Sequence, residues 1–180
     1  MSSNSPHFLQ IISPHGMRPD LRRELIACWT AVANTGGAVG FAFPPVTELE
    51  VIPVADQLIA GLDAKYSRLI VATVDDRVAG WLHLHRYTDP LVPHWGTVQR
   101  VQTHPDHRGR GYGKALMAKV REVARDELGL EHLRLEARGG AGLEKFYVSL
   151  GWEEIGRWPG ALRFGPGEDR DEVLMLLRNL

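Results

Sequence analysis

The chain has 180 residues, with 21 Lys and Arg against 22 Asp and Glu and a formal net charge of -1, a length for one domain, 1–180, that can bury a core of its own. Charges so evenly balanced leave no broad basic footprint for nucleic acid or an anionic membrane, so any basic site is local. The one cysteine, Cys28, has no partner for an internal disulfide, and the start MSSNSPHF lacks the basic and apolar segments of a secretory signal, which together point to the cytoplasm.

In chain order, residues 8–13 (FLQIIS) predict a first strand. Residues 18–34 set Leu21, Leu25, Cys28, Trp29 and Val32 at helical spacing with charges opposite, which predicts an amphipathic helix and makes Cys28 a core thiol. Residues 25–47 carry no charge, as a membrane span would, but Asn34, Thr35, Gly36 and Gly37 interrupt the middle and Pro44 and Pro45 close the end. A buried helix followed by an apolar loop is expected there, and no membrane partner.

A second helix is expected over 52–65. Residues 68–87 place two β-branched, apolar runs around Asp75 and Asp76, which predicts a hairpin. A further strand covers 96–104. Over 112–128, Leu116, Val120, Val123 and Leu128 form an apolar stripe opposite Lys119, Arg121, Glu122 and Arg125, and Gly129 closes this strongest helix. HLRLEA reads as a strand, LEKFYVSL as a short helix, and WEEIGRW and EVLMLL as the last two strands. The order defines an α/β (α+β) chain with a mixed sheet covered by helices. Its one strand–helix–strand unit, 96–137, should pair its strands in parallel through a right-handed connection.

Gly109, Gly111 and Gly113 alternate with Arg108, Arg110 and Tyr112 where that helix begins, and Lys114 follows. Residues without Cβ let backbone N–H groups approach a ligand, and the first helical turn leaves such groups unpaired, so the natural guest is a phosphate. Two better-known glycine motifs fail on spacing. The dinucleotide fingerprint GxGxxG meets Lys114 where its third glycine belongs, and a P-loop meets Ala115 after Lys114 where it needs Ser or Thr.

The stretch HPDHRGRGYGKALM resembles the acetyl-CoA signature of the GNAT superfamily of N-acetyltransferases, R/Q-x-x-G-x-G/A, at Arg108, Gly111 and Gly113. Downstream, LRLEARGGAGLEKFYVSLGWEEIGRW resembles that superfamily's next conserved block, and TGGAVGF and GRWPG are similar to segments of its tabtoxin-resistance branch. The resemblance implies the acyl-CoA N-acyltransferase fold: a mostly antiparallel sheet, one parallel strand pair that splays apart, and helices on both faces. It implies acetyl-CoA as cosubstrate, with the amides of Arg108, Gly109, Arg110, Gly111, Tyr112 and Gly113 on the pyrophosphate and Arg108, Arg110 and Lys114 supplying charge. It also implies a pantetheine arm lying along Val101, Gln102 and Thr103, where a backbone N–H polarises the thioester carbonyl.

Direct transfer needs a neutral amine, so a base must take a proton. Glu136, late on the second splayed strand, is the first candidate; a solvated or ion-paired strand residue is the other reading. Where many relatives carry a glutamate on the preceding strand, this chain has Thr97 or Gln99, neither of them a base. Tyr147 matches the tyrosine that many members use as general acid toward the departing thiolate. The alternative is a packing aromatic, with Phe146 beside it free to take the core side.

His83 and His85 alternate on one strand and read as half-exposed residues; without HExxH or a cysteine partner no metal is expected. The acceptor implied is a small-molecule or amino-acid-like amine, or a protein amine, and pairing of two copies is common in that superfamily. A non-catalytic acyl-CoA sensor and a DNA-binding regulator are the competing readings.

Overall fold

Burial on both faces of the central strands decides the architecture. β2 (Ser67–Val74) and β3 (Arg77–Arg86) are buried over nearly their whole length, which an antiparallel pair shows only when helices cover both sides. The computed structural model describes residues 5–37, 39–41 and 44–180; Ala38, Ala42 and Phe43, in the apolar loop that includes TGGAVGF, lie outside the described residues. The other strands are β1 (His7–Ile11), β4 (Trp95–Thr103), β5 (His132–Arg138), β6 (Glu153–Gly165) and β7 (Glu168–Arg178), and the helices are α1 (Pro19–Val32), α2 (Glu48–Ala60), α3 (Tyr112–Glu122) and α4 (Leu143–Val148). The sheet runs β1-β2-β3-β4-β5-β7-β6, antiparallel throughout except between β4 and β5.

Two cores flank the sheet. On one face Leu116, Met117 and Val120 of α3 pack on Ile70, Leu82, Leu84, Leu133 and Met175. On the other, Leu21, Leu25 and Trp29 of α1 and Val51 and Ala55 of α2 pack on Leu69, Val71 and Trp81. Cys28 belongs to this second core at 1% exposure, and burial pushes its thiol up to about 12, so it is a packing group with almost no thiolate at neutral pH.

Two element boundaries differ from the sequence expectation. α2 starts at Glu48, before residue 52, because Glu50 accepts hydrogen bonds from the backbone N–H (2.8 Å) and the hydroxyl (2.7 Å) of Thr47, a capping box that starts the helix one turn sooner. It stops at Gly61, and Asp63 then accepts from the amides of Lys65 and Tyr66 in a turn. β6 and β7 run far past the segments read as strands. Their outer halves are mostly exposed and are held by cross-strand ion pairs such as the two-pronged Arg163–Asp169 contact (2.7 and 2.9 Å), while Pro159, Gly160, Pro166 and Gly167 make the same stretch read as loop.

The parallel pair is the feature that makes a site. β4 and β5 pair only at Trp95↔His132, Gly96↔Leu133 and Thr97↔Arg134, although β4 continues to Thr103 and β5 to Arg138. β5 stays with β7 along its full length, so β4 is the strand that turns away. On β3 the partners step from Trp81↔Gln102 to His83↔Gln99, with Arg100 at φ +53°. Extra residues on one strand bend it and increase its twist, and the gap opens just beyond Thr97.

Candidate active site

The glycine-rich loop delivers its amides as the sequence suggested, with one correction. Gly109 (φ +74°) and Gly111 (φ +83°) turn the chain through the left-handed region, and the first helical bond is Ala115 N–H to Gly111 O at 3.0 Å. Among the described residues the amides of Gly109, Arg110, Gly111, Gly113 and Lys114 therefore donate to no backbone acceptor. The Arg108 amide, expected in this set, already donates to Pro105 O at 3.2 Å. A short 3₁₀ turn at Pro105–His107 engages it, and Lys114 extends the set at the other end. A Cβ on Gly113 would sit 3.3 Å from Thr103 Oγ1 and 3.6 Å from the Phe146 ring, so this glycine lets α3 approach the lip of β4 closely.

Arg108 contributes through its side chain: Nη2 donates to Thr35 Oγ1 at 3.0 Å and Nε to Thr103 O at 3.4 Å. The signature arginine thus ties the loop after α1 to the end of β4. Nothing in the spacing of the two segments, 73 residues apart, signals that contact.

A cavity of about 960 Å³ lies over the gap. Val101, Gln102, Thr103, Arg108, Gly109, Gly111, Tyr112, Gly113, Lys114, Glu136 and Tyr147 all border it; Arg110 is exposed and lies off its wall. The Tyr112 ring packs inward with Val74 and Ala79, so it is its backbone position that faces the loop's guest. His104 N–H donates to Ala79 O on β3 at 2.8 Å. By strand alternation Thr103 and Val101 then turn their own amides away from β3, into the gap. Among the described residues Gln102, 1% exposed, has no partner for Oε1 or Nε2, and Nε1 of Trp81, its cross-strand neighbour, has none either.

Tyr147 is 6% exposed, packed on Phe146 and Trp152, and burial pushes its phenol up to about 12. The expectation that Phe146 takes the core side is reversed. Leu143 and Tyr147, four apart on α4, share the stripe that packs on the sheet, while Phe146 is half-buried beside Gly113. Glu136 borders the cavity and accepts from Arg134 Nη2 at 3.0 Å, the ion pair of the second reading. A second carboxylate that sequence reasoning missed, Glu172, lies opposite Arg138 on β7 and also borders the cavity. Burial first, and then the nearby charge of Glu136, raise its pKa.

Of the histidine pair, His83 departs from expectation. His83 is buried, with Nε2 2.8 Å from Ser67 Oγ and Nδ1 3.2 Å from Gln99 Oε1, and His85 is half-buried. Thr97 donates to the Tyr87 hydroxyl at 2.8 Å, so both positions that lack the family glutamate serve neighbouring side chains. Burial lowers His83 to about 4, against an unfolded value near 6.5. As pH falls the unfolded chain takes this proton first, so the contribution is complete above about 6.5 and is lost as pH passes through about 4. Thermal melts should show about 3 kcal/mol less stability at the acid end, a loss much reduced in His83→Gln; equal acid loss in both proteins excludes His83 as its source.

Among the described residues no group of three or more His, Cys, Asp or Glu could hold a metal ion, and no helix is long and apolar enough to cross a membrane.

A mixed sheet with helices on both faces, a parallel pair that parts, and a glycine-rich helix N-terminus at the opening define the acyl-CoA N-acyltransferase fold. The chain belongs to the acetyltransferase (GNAT) family, whose profile it matches over residues 19–152. It is 37% identical over 78 residues to the mycothiol acetyltransferase of Thermomonospora curvata, a stretch that makes up 43% of this chain and 25% of that protein. The chain therefore matches about a quarter of that relative's length. An N-acetyltransferase from Staphylococcus aureus Mu50 superposes with a TM-score of 0.72 at 12% identity, over 96% of this chain and 98% of that one. The ribosomal-protein-S18-alanine N-acetyltransferase of Escherichia coli does so at 0.68 and 15% identity, over 97% and 94%. Family and fold thus agree with the resemblance carried by Arg108, Gly111 and Gly113.

Proposed function

We propose that this protein moves the acetyl group of acetyl-CoA directly to a primary amine, small-molecule or amino-acid-like before protein-borne, in the cytoplasm and without a metal. The observation that carries this reading is the alignment of unengaged loop amides with a gap between β4 and β5. A hydrogen bond to a charged group contributes about 1.5–3 kcal/mol, against about 0.3–1 kcal/mol from the helix dipole at an exposed end. The converging amides, with Lys114 and Arg108 nearby, are therefore the main grip on a pyrophosphate.

The pantetheine arm then follows Val101, Gln102 and Thr103 as an added strand. The amine nitrogen attacks the thioester carbonyl carbon, an amide of Val101 or Thr103 donates to the developing oxyanion, and the C–S bond breaks as the C–N bond forms. An alkylammonium with pKa near ~10.4 must lose a proton before attack. Glu136 and Glu172 supply the carboxylates that Thr97 and Gln99 do not, directly or through water. Tyr147 gives its proton to the departing sulfur.

Titration with acetyl-CoA should show saturable binding, and a panel of amines should then give thiol release with a matching acetylated product by mass spectrometry. Binding without release on any amine turns the reading into that of an acyl-CoA sensor. Absence of binding removes both.

A further inference from the structure

Of the arginines that border the cavity, Arg100, Arg108 and Arg138 form no ion pair among the described residues, and Arg108 is held instead by Thr35 and Thr103. Arg100, at the bulge of β4, lays its guanidinium over Trp29 at 5.0 Å, and Arg138, at the end of β5, lies over Phe164 at 5.0 Å. Both border the cavity and are half-buried, and neither has an ion-pair partner among the described residues. Their neighbours are different: Arg134, Arg157, Arg163, Arg170 and Arg178 each meet a carboxylate. Arg100 is withdrawn from water with no carboxylate beside it, whereas Arg138 has Glu172 across the strand pair and the charge of Glu168 nearby without closing an ion pair on either, and the aromatic ring beneath each guanidinium offsets only part of the lost hydration.

The two arginines stand on opposite lips of the gap, Arg100 reaching to Trp29 of α1 and Arg138 to Phe164 of β6. Thr97↔Arg134 is the last parallel pair, Arg100 follows Thr97 by three residues and Arg138 follows Arg134 by four, so they stand at similar heights on opposite lips. Both lie on the α1 side of the sheet. Arg100 covers Trp29 of α1, while Arg134, on the same face of β5 as Glu136 and Arg138, covers Tyr87 at 5.4 Å. The phosphate-binding amides belong to α3, whose apolar stripe packs on the other face, so coenzyme A does not account for these two cations. Glu136 and Glu172 border the same cavity, and one wall therefore presents an anion-seeking pair beside a cation-seeking pair.

We propose that the acceptor is a primary amine that also carries a carboxylate. Arg100 and Arg138 hold the acid by forked hydrogen bonds, and Glu136 and Glu172 direct the amine to the gap where the thioester arrives. This rests on the acetyltransferase reading. The test pairs free L-amino acids with their carboxamides, which keep the amine and lose the charge. With acetyl-CoA present, the acids should give thiol release with a kcat/KM about 10- to 100-fold above their carboxamides. Arg100→Gln and Arg138→Gln should each lower the rate on the acids by at least about tenfold more than on the carboxamides. Equal losses on both, carboxamides that match their acids, or release with peptide amines alone overturn the proposal. Should no amine give release, calorimetric titration with free coenzyme A present decides the matter separately. Saturable binding of the acids and not of the carboxamides, lost in Arg100→Gln, keeps the subsite while removing the transfer reading, and no binding overturns the subsite itself.

Discussion

Gly111→Val should weaken acetyl-CoA binding by at least about 100-fold while leaving the fold intact. Gly111 is the N-cap of α3 at φ +83° and ψ 1°, a conformation a β-branched residue adopts only under strain of about 1–3 kcal/mol. Space is not the obstacle, since a Cβ there would meet nothing within 4 Å. The chain relieves the strain by rotating the peptide units on either side, which turns the Gly111 amide and displaces its neighbours at Gly109, Arg110, Gly113 and Lys114, none of which has a backbone acceptor among the described residues. Losing the convergence of two amides, at about 1.5–3 kcal/mol each toward a charged phosphate, removes about two to four orders of magnitude in affinity. Calorimetric titration checks the affinity, and circular dichroism checks that α3 survives. A folded variant that binds acetyl-CoA like the unmodified protein shows that the loop does not grip the pyrophosphate.

The elements were legible where burial is one-sided or complete. The alternation of Leu116, Val120 and Val123, the apolar runs around Asp75–Asp76, and the glycines at 109, 111 and 113 each report a local constraint that the structure keeps. What could not be read depends on contacts between distant segments. The start of α2 turns on one Glu50–Thr47 contact, and the outer halves of β6 and β7 are held by charges that look like solvated loop. The bulge that opens the site leaves Arg100 at a positive φ, a conformation that residue's identity does not announce. The site divides in the same way. The glycine-rich loop was visible because glycine is demanded there by backbone geometry, whereas Arg100, Arg138 and Glu172 are ordinary strand residues until the topology places β4, β5 and β7 around one cavity. Glu136 stood out because it lies late on a strand that the resemblance implicates, and its pairing with Arg134 is a contact between residues two apart that strand alternation allows.

Tyr147→Phe should lower kcat by about 100-fold, near the lower end for a lost general acid, with little change in acetyl-CoA affinity. Burial holds this phenol near 12, so it remains protonated at every pH where the enzyme is assayed, and kcat should show no basic limb from this group below about pH 11. The same burial makes it a reluctant donor. Proton transfer to a thiolate whose conjugate acid lies near ~8.5 is uphill by about 5 kcal/mol, so the transfer must accompany C–S cleavage, when the sulfur is only partly relieved of its charge. Among the described residues no hydrogen bond to the hydroxyl is formed, and its oxygen is not one of the buried unpartnered atoms, so removing it breaks no protein contact and leaves the packed ring in place. The variant should therefore melt no lower than the parent, which separates a chemical role from a packing one. The decisive readout is the leaving group. An aryl thioester of acetate, whose thiolate departs without a proton, should narrow the gap between Tyr147→Phe and the unmodified enzyme to a few-fold, because the step the phenol assists no longer needs it. If the variant is as impaired on the aryl thioester as on acetyl-CoA, Tyr147 shapes the cavity and some other group protonates the sulfur.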